Sequence, residues 1–234
     1  MPSPDRPTDP ALPADARALA RLGAAIARWD PYLAPQLIVA AAIVLDLALP
    51  KKVTIGPSWL LPAFEGLLLI GLSALTPHPR MRHSPGRRYA ALGLIALVSA
   101  VNSVSLVLLC HYLLKGRSES GHNLILAGAV LWITNVLLFG LWFWQLDRGG
   151  PLARRTAPEP PDFLFPQMSE PKLADGWKPN LIDYLYVSFT NATAFSPTDA
   201  MPLSRTAKVL MAVQALTALV TVGLVVARAV NILN

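Results

Sequence analysis

Five stretches of this chain are too apolar and too long to sit in water, and they leave few folds open. They cover residues 32–50, 58–75, 89–114, 123–146 and 204–232, each near the ~20 residues that a helix needs to cross the hydrocarbon core of a bilayer. The first two are short and carry Pro35, Pro57 and Pro62 near their ends, whereas the last three have length to tilt. In lipid every backbone N–H and C=O needs an internal partner, so what lies between the spans is aqueous, interfacial or re-entrant. Composition agrees: 53% of the 234 residues are hydrophobic and 15% are charged, against about 25% charged in a soluble domain. A lone cysteine, Cys110, excludes a disulfide scaffold. The expected fold class is an all-α membrane protein.

Charge sets the expected sides. The net charge is +6 and the pI 9.8, but the basic residues flank spans, so anionic lipid headgroups are their partners and nucleic acid is not. Arg6, Arg17, Arg21 and Arg28 precede the first span, and Arg80, Arg82, Arg87 and Arg88 follow the second. Arg148, Arg154 and Arg155 follow the fourth, while the opposite turns hold only Lys51, Lys52, Lys115 and Arg117. Fifteen of the twenty basic residues then share one side. The positive-inside rule makes that side the cytoplasm, with the N-terminus there and the protein in the cell membrane of a bacterium. Alanine and arginine abundance suits a high-GC bacterial genome.

The chain divides into four parts. Residues 1–31 read as a disordered, Pro-rich lead without signal-peptide features, then an interfacial amphipathic helix or a plain helical extension into water. Residues 32–146 form a four-helix transmembrane unit, 147–180 a Pro-rich linker, and 181–234 the remainder. That remainder begins with a problem of length. Residues 181–193 are apolar, but at 1.5 Å per residue they reach roughly 20 Å, about two-thirds of the hydrocarbon core. A re-entrant half-helix solves this, with Asn180 and Asp183 capping its start. The count is therefore five transmembrane helices plus one re-entrant, pore-type half-helix.

The tract YVSFTNATAFSPTDAMP, residues 186–202, resembles the pore helix, filter and filter exit of tetrameric potassium channels, whose pattern is Y-F-S-F-x-T-x-T-T-V-G-Y-G-D-x-x-P. Tyr186, Ser188, Phe189, Thr193, Asp199 and Pro202 fall on the family's residues without a gap. The resemblance covers the last third of the chain. It implies an outer helix in 123–146, an inner helix in 204–232, and a homo-oligomer, most simply a tetramer. Nearly the whole chain also resembles a group of bacterial multi-pass membrane proteins with no assigned activity. A loop entering from the cytoplasm is inverted relative to potassium channels, as in glutamate-receptor channels.

The filter itself departs from the family. T-V-G-Y-G corresponds to Ala194, Phe195, Ser196, Pro197 and Thr198. Glycines let filter carbonyls all turn inward. Here Ser196 and Thr198 replace both of them, and Pro197 fixes φ near −65°. Potassium selectivity is therefore not expected. Ser-Pro-Thr-Asp instead reads as a helix start, predicting one turn near residues 197–200 and a final helix capped by Ser204. Thr193, Phe195, Ser196, Pro197, Thr198 and Asp199 are the candidate pore-loop residues. Gln214, Thr217 and Thr221 share one face of the last helix and are the candidate inner-helix lining, or a packing stripe.

Glu65, Asn102, Thr134 and Asn135 fall near mid-span. An ionisable group there costs at least ~2.5 kcal/mol. These residues are either a proton- or cation-handling site or interhelical glue. Asp46 is expected at the interface, neutralised by Lys51 and Lys52, and Trp142, Phe143 and Trp144 in an interfacial belt. Cys110 and His111 are adjacent, and His78, His83 and His122 lack metal-ligand spacing. No G-x-S-x-G or P-loop is present, and Asn191-Ala-Thr193 matches a glycosylation acceptor by chance. The chain is expected to be no enzyme, with no cofactor and no metal. Three functions stand: a non-potassium-selective cation pore, a non-conducting structural or accessory membrane protein, or a proton-coupled carrier using Glu65.

Overall fold

A computed structural model describes residues 33–50, 54, 57, 59–74, 85–114, 121–151, 153–156, 160–170, 177–193 and 199–233. The lead and helix expected over 1–31 lie outside these residues, as does the tract 194–198. In chain order the elements are α1 (Leu33–Leu47), α2 (Leu60–Ala74), α3 (Pro85–Leu114) and α4 (Gly121–Leu146), the last ending in a 3-10 turn, Asp147–Gly149. Short pieces follow: α5 (Ala153–Thr156), β1 (Phe163–Leu164) and α6 (Pro166–Ser169). Then come α7 (Leu181–Thr193), β2 (Met201–Pro202) and α8 (Arg205–Leu233).

Among the described residues the fold is all-α apart from a two-residue antiparallel ladder, in which Phe163 pairs with Pro202 and Leu164 with Met201. Three helices are long and apolar enough to cross a membrane: Arg88–Tyr112, Asn123–Gly149 and Arg205–Arg228, of 25, 27 and 24 residues. That is the make-up of a membrane protein. Helices α1 and α2 have 15 residues each, about 22 Å at the α-helical rise.

Helix α4 is the hub, contacting α1, α3, α7 and α8. It is the most buried of the three long helices, and its sequence is predominantly apolar. One face, through Leu131 and Leu138, meets α1 and α3 in two apolar clusters. The first holds Val39, Ile43, Leu94, Val98, Leu138 and Leu141, and the second Leu49, Leu106, Leu109, Leu124 and Leu131. Trp142 Nε1 donates to Ser99 Oγ at 3.0 Å. Phe143 and Trp144 are buried, so these two form core and not the expected belt, packed in the cluster shared with α1 and α3.

Two glycines of α4 let α7 and α8 come close. A Cβ on Gly140 would stand 2.6 Å from Leu185 Cδ2 and 3.1 Å from Leu185 Cα, and one on Gly128 would overlap Val225 Cγ2. Gly140→Ala should therefore push α7 off its seat and lower stability by about 1–3 kcal/mol. Gly93→Ala, with nothing within 4 Å of its Cβ, should not. Thermal unfolding of the two variants in mild detergent makes the comparison.

Candidate functional site

The site is built around α7, which lies in the groove between α4 and α8. Its first turn is a reciprocal cap: the Ile182 amide donates to Asn180 Oδ1 at 2.8 Å, and the Asn180 amide donates to Asp183 Oδ2 at 2.7 Å. The Asn180–Asp183 pair was readable from spacing. At the other junction the Ala207 amide donates to Ser204 Oγ at 3.1 Å, so Ser204 caps α8 as expected.

Side-chain bonds then fix α7 along α4 in antiparallel register. Tyr184 meets Asp147, Leu185 lies over Gly140, Ser188 Oγ donates to the Val136 carbonyl at 2.7 Å, and Trp132 Nε1 donates to the Ala192 carbonyl at 3.4 Å. Gln214 locks the third helix in. Its Nε2 donates to Ser188 Oγ at 2.6 Å and to the Ser188 carbonyl at 2.9 Å. Asn191 Nδ2 donates to Gln214 Oε1 at 2.8 Å and to the Met211 carbonyl at 2.9 Å. Such a chain satisfies every polar group it buries, which is the condition for keeping polar side chains in a helix seam.

A second structure, centred on Asp147, anchors the start of α7. Asp147, fully buried at the end of α4, accepts from the Tyr184 hydroxyl at 2.5 Å, a charge-assisted length. It also accepts from the Asp162 amide at 2.8 Å. Arg148 Nε and Arg154 Nη1 each stand 3.8 Å from Asp147 Oδ2. Arg154 also donates to the Trp144 carbonyl at 2.7 Å and the Asp147 carbonyl at 3.1 Å, capping the negative end of α4. It lies over the Trp144 and Tyr184 rings at 5.6 and 5.1 Å.

The chain reaches this arrangement through three successive left-handed residues, Arg148, Gly149 and Gly150. Phe163 and Phe165 then pack on Tyr184 with ring centroids at 6.2 and 5.4 Å. The segment 147–180, expected as a linker, thus contributes core at this end. Its only advance signal was Gly149-Gly150-Pro151, a sharp turn placed just after an apolar helix.

The predicted site residues divide. Thr193 ends α7, its hydroxyl donating to the Thr190 carbonyl at 2.7 Å. Phe195, Ser196, Pro197 and Thr198 lie outside the described residues. Asp199 is exposed in a bend with Ala200, beside the ladder. Gln214 and Thr221 are buried inside the chain, and the Thr217 and Thr221 hydroxyls donate to their own helix, at 2.8 Å each. The face of α8 left exposed is apolar, with Val209, Val213, Leu216 and Val220 on it. Glu65, Asn102 and Asn135 are buried and bond to none of the residues of this site. Asp46, one residue before the end of α1, is buried as well, at 3% exposure, and the lysines expected to neutralise it lie outside the described residues.

Comparison with known protein families, with curated proteins and with solved structures finds no match to this chain. Its chemistry is read from its own geometry.

Tyr184→Phe should cost about 1.5–3 kcal/mol, the range for a hydrogen bond to a charged group. Asp147→Ala should cost about 3–5 kcal/mol, because it strands Arg148 and Arg154 without their carboxylate. A double-mutant cycle by thermal unfolding should give a coupling well above experimental scatter. Additive effects would show that the Tyr184–Asp147 bond anchors nothing.

Proposed function

We propose that this is a multi-pass membrane protein of five spanning helices and one re-entrant half-helix, with α7 as that half-helix. Within that class, its α4–α7–α8 module is a pore-loop unit that assembles as a homo-oligomer, most simply a tetramer, around a cation pore without potassium selectivity. One observation carries the reading. Helices α7 and α8 both start at the Asp147 end of α4, yet α7 reaches only to Trp132 while α8 continues past it to Gly128. By Met201 the chain is back at the starting end, paired with Leu164. Thr193 and Met201 are eight residues apart, and extended chain of that length reaches about 27 Å. The half-helix covers roughly 20 Å, so a dip and return fits without another helix.

Exposed Asp199 at that end would repeat around the axis, an acidic ring of the kind that favours cations. Any lining that α8 supplies is the apolar row Val209, Val213, Leu216 and Val220, since Gln214 is engaged with α7. Helices α1 and α2 span as the two short members, with Leu37, Val44, Leu67 and Ile70 presented outward and the bilayer thinned locally to meet them. Arg88, Arg148, Arg154, Lys178, Arg205 and Lys208 all belong to the Asp147 end, which the positive-inside rule places in the cytoplasm of a cell-membrane protein. A second reading, a non-conducting structural or accessory subunit, draws on the same apolar row, which suits lipid or a partner helix equally well.

Reconstitution into liposomes with a cation-flux assay separates the readings. The pore predicts oligomers in nanodiscs and a flux that Asp199→Asn lowers several-fold. A monomer in lipid, or the absence of flux, leaves the accessory reading. Sidedness is checked separately with Ser169→Cys in a Cys110→Ala background. A membrane-impermeant thiol reagent applied to intact cells should leave Cys at 169 unlabelled, and labelling would invert the topology.

A further inference from the structure

Between the two apolar clusters of the four-helix unit lies a layer of polar side chains that bond to nothing. On α1, Asp46 follows Ala42 of the first cluster by four residues and so shares its face, and Leu49 of the second cluster comes three residues on, just past the helix end. On α3, Asn102 sits midway between Val98 of the first cluster and Leu106 of the second. On α4, Thr134 and Asn135 fall between Leu131 and Leu138. Helix α2 packs on both α1 and α3, and its Glu65 carboxylate interacts electrostatically with Asp46. Each of the five is more than nine-tenths buried.

Both carboxylate oxygens of Asp46, both of Glu65, the amide oxygens of Asn102 and Asn135 and the Thr134 hydroxyl have no hydrogen-bond partner. The ion pairs formed among the described residues are those of Asp147, so no described cation is paired with either carboxylate. Interhelical glue is excluded by the same fact: glue bonds across helices, and these groups do not. Two unneutralised carboxylates at this depth cost several kcal/mol each. The fold retains them in a layer where leucine would pack without penalty.

We propose that this layer is the binding site of a single hard cation, held by the carboxylates of Asp46 and Glu65, with Asn102 and Thr134 supplying further oxygens. The donor set is all oxygen, without imidazole or thiolate, which selects sodium, magnesium or calcium over transition metals. A divalent ion of the calcium type takes carboxylate and carbonyl oxygens together and would neutralise both carboxylates at once. The site does not depend on the pore reading, because these unpartnered groups bond to none of the residues that hold α7.

The test uses the full chain in nanodiscs of zwitterionic lipid, stripped with chelator and then titrated with calcium, magnesium or sodium chloride. Choline chloride at matched ionic strength is the control, and thermal unfolding is the readout. The expected result is a saturable rise in Tm with an inorganic cation, absent with choline and absent in Asp46→Asn/Glu65→Gln. In cation-free buffer that double variant should unfold at a higher temperature than the unsubstituted protein, since both buried charges are gone. If it fails to fold, Thr134→Val, which removes one oxygen, should bind the same ion several-fold more weakly. The proposal is overturned if no inorganic cation raises Tm beyond choline, or if the rise survives in the double variant. It is equally overturned if infrared spectra show both carboxyls protonated at neutral pH under saturating cation.

Discussion

The buried carboxylate of Asp147 is the constraint on which the C-terminal half of the molecule depends. It closes α4, accepts the Tyr184 hydroxyl that starts α7, and takes the Asp162 amide. Asp162 in turn receives the Arg148 amide on its side chain at 2.9 Å and the Leu203 amide on its carbonyl at 2.8 Å. Three chain segments that are far apart in sequence are thus tied to one charged group. A buried carboxylate without partners would be strongly unfavourable, so the two arginines and the four-residue helix that carries Arg154 are requirements of the arrangement.

Below that anchor the seam between α4, α7 and α8 is held by a short polar chain running Gln214 to Ser188 to the Val136 carbonyl. Apolar contact discriminates poorly between helix registers when lipid is as greasy as the neighbouring helix, whereas a hydrogen bond has one geometry. The glycines at 128 and 140 supply the complementary half of the device, allowing the backbones to come close enough for those bonds to form. The consequence for function is that Gln214 of α8 serves its neighbours within the chain, and the free surface beyond the first turn carries Val209, Val213, Leu216 and Val220.

The molecule therefore treats its polar groups in two opposite ways along α4. On the α7 side they are bonded. On the α1–α3 side a layer of carboxylates, amides and a hydroxyl is held apart from partners between two closed apolar clusters. That asymmetry distinguishes a seam built for stability from a layer that stability alone would not retain.

The sequence by itself determined the helical class, because long apolar runs have no other structure in a bilayer. It determined the long helices at α3, α4 and α8 within a few residues, and the caps at Asn180–Asp183 and Ser204, because caps are local chemistry. It also exposed the shortness of α7, which is simple arithmetic on rise per residue. Tertiary structure alone decided the rest. Whether Gln214 faces a lumen or Ser188, whether Asp147 ends a helix in water or at the centre of an ionic cluster, and whether Asp46 lies near Glu65 are questions about neighbours distant along the chain. Helical periodicity tells which residues share a face. It carries no information about what that face will meet, and for a polar residue among apolar ones the partner determines its role.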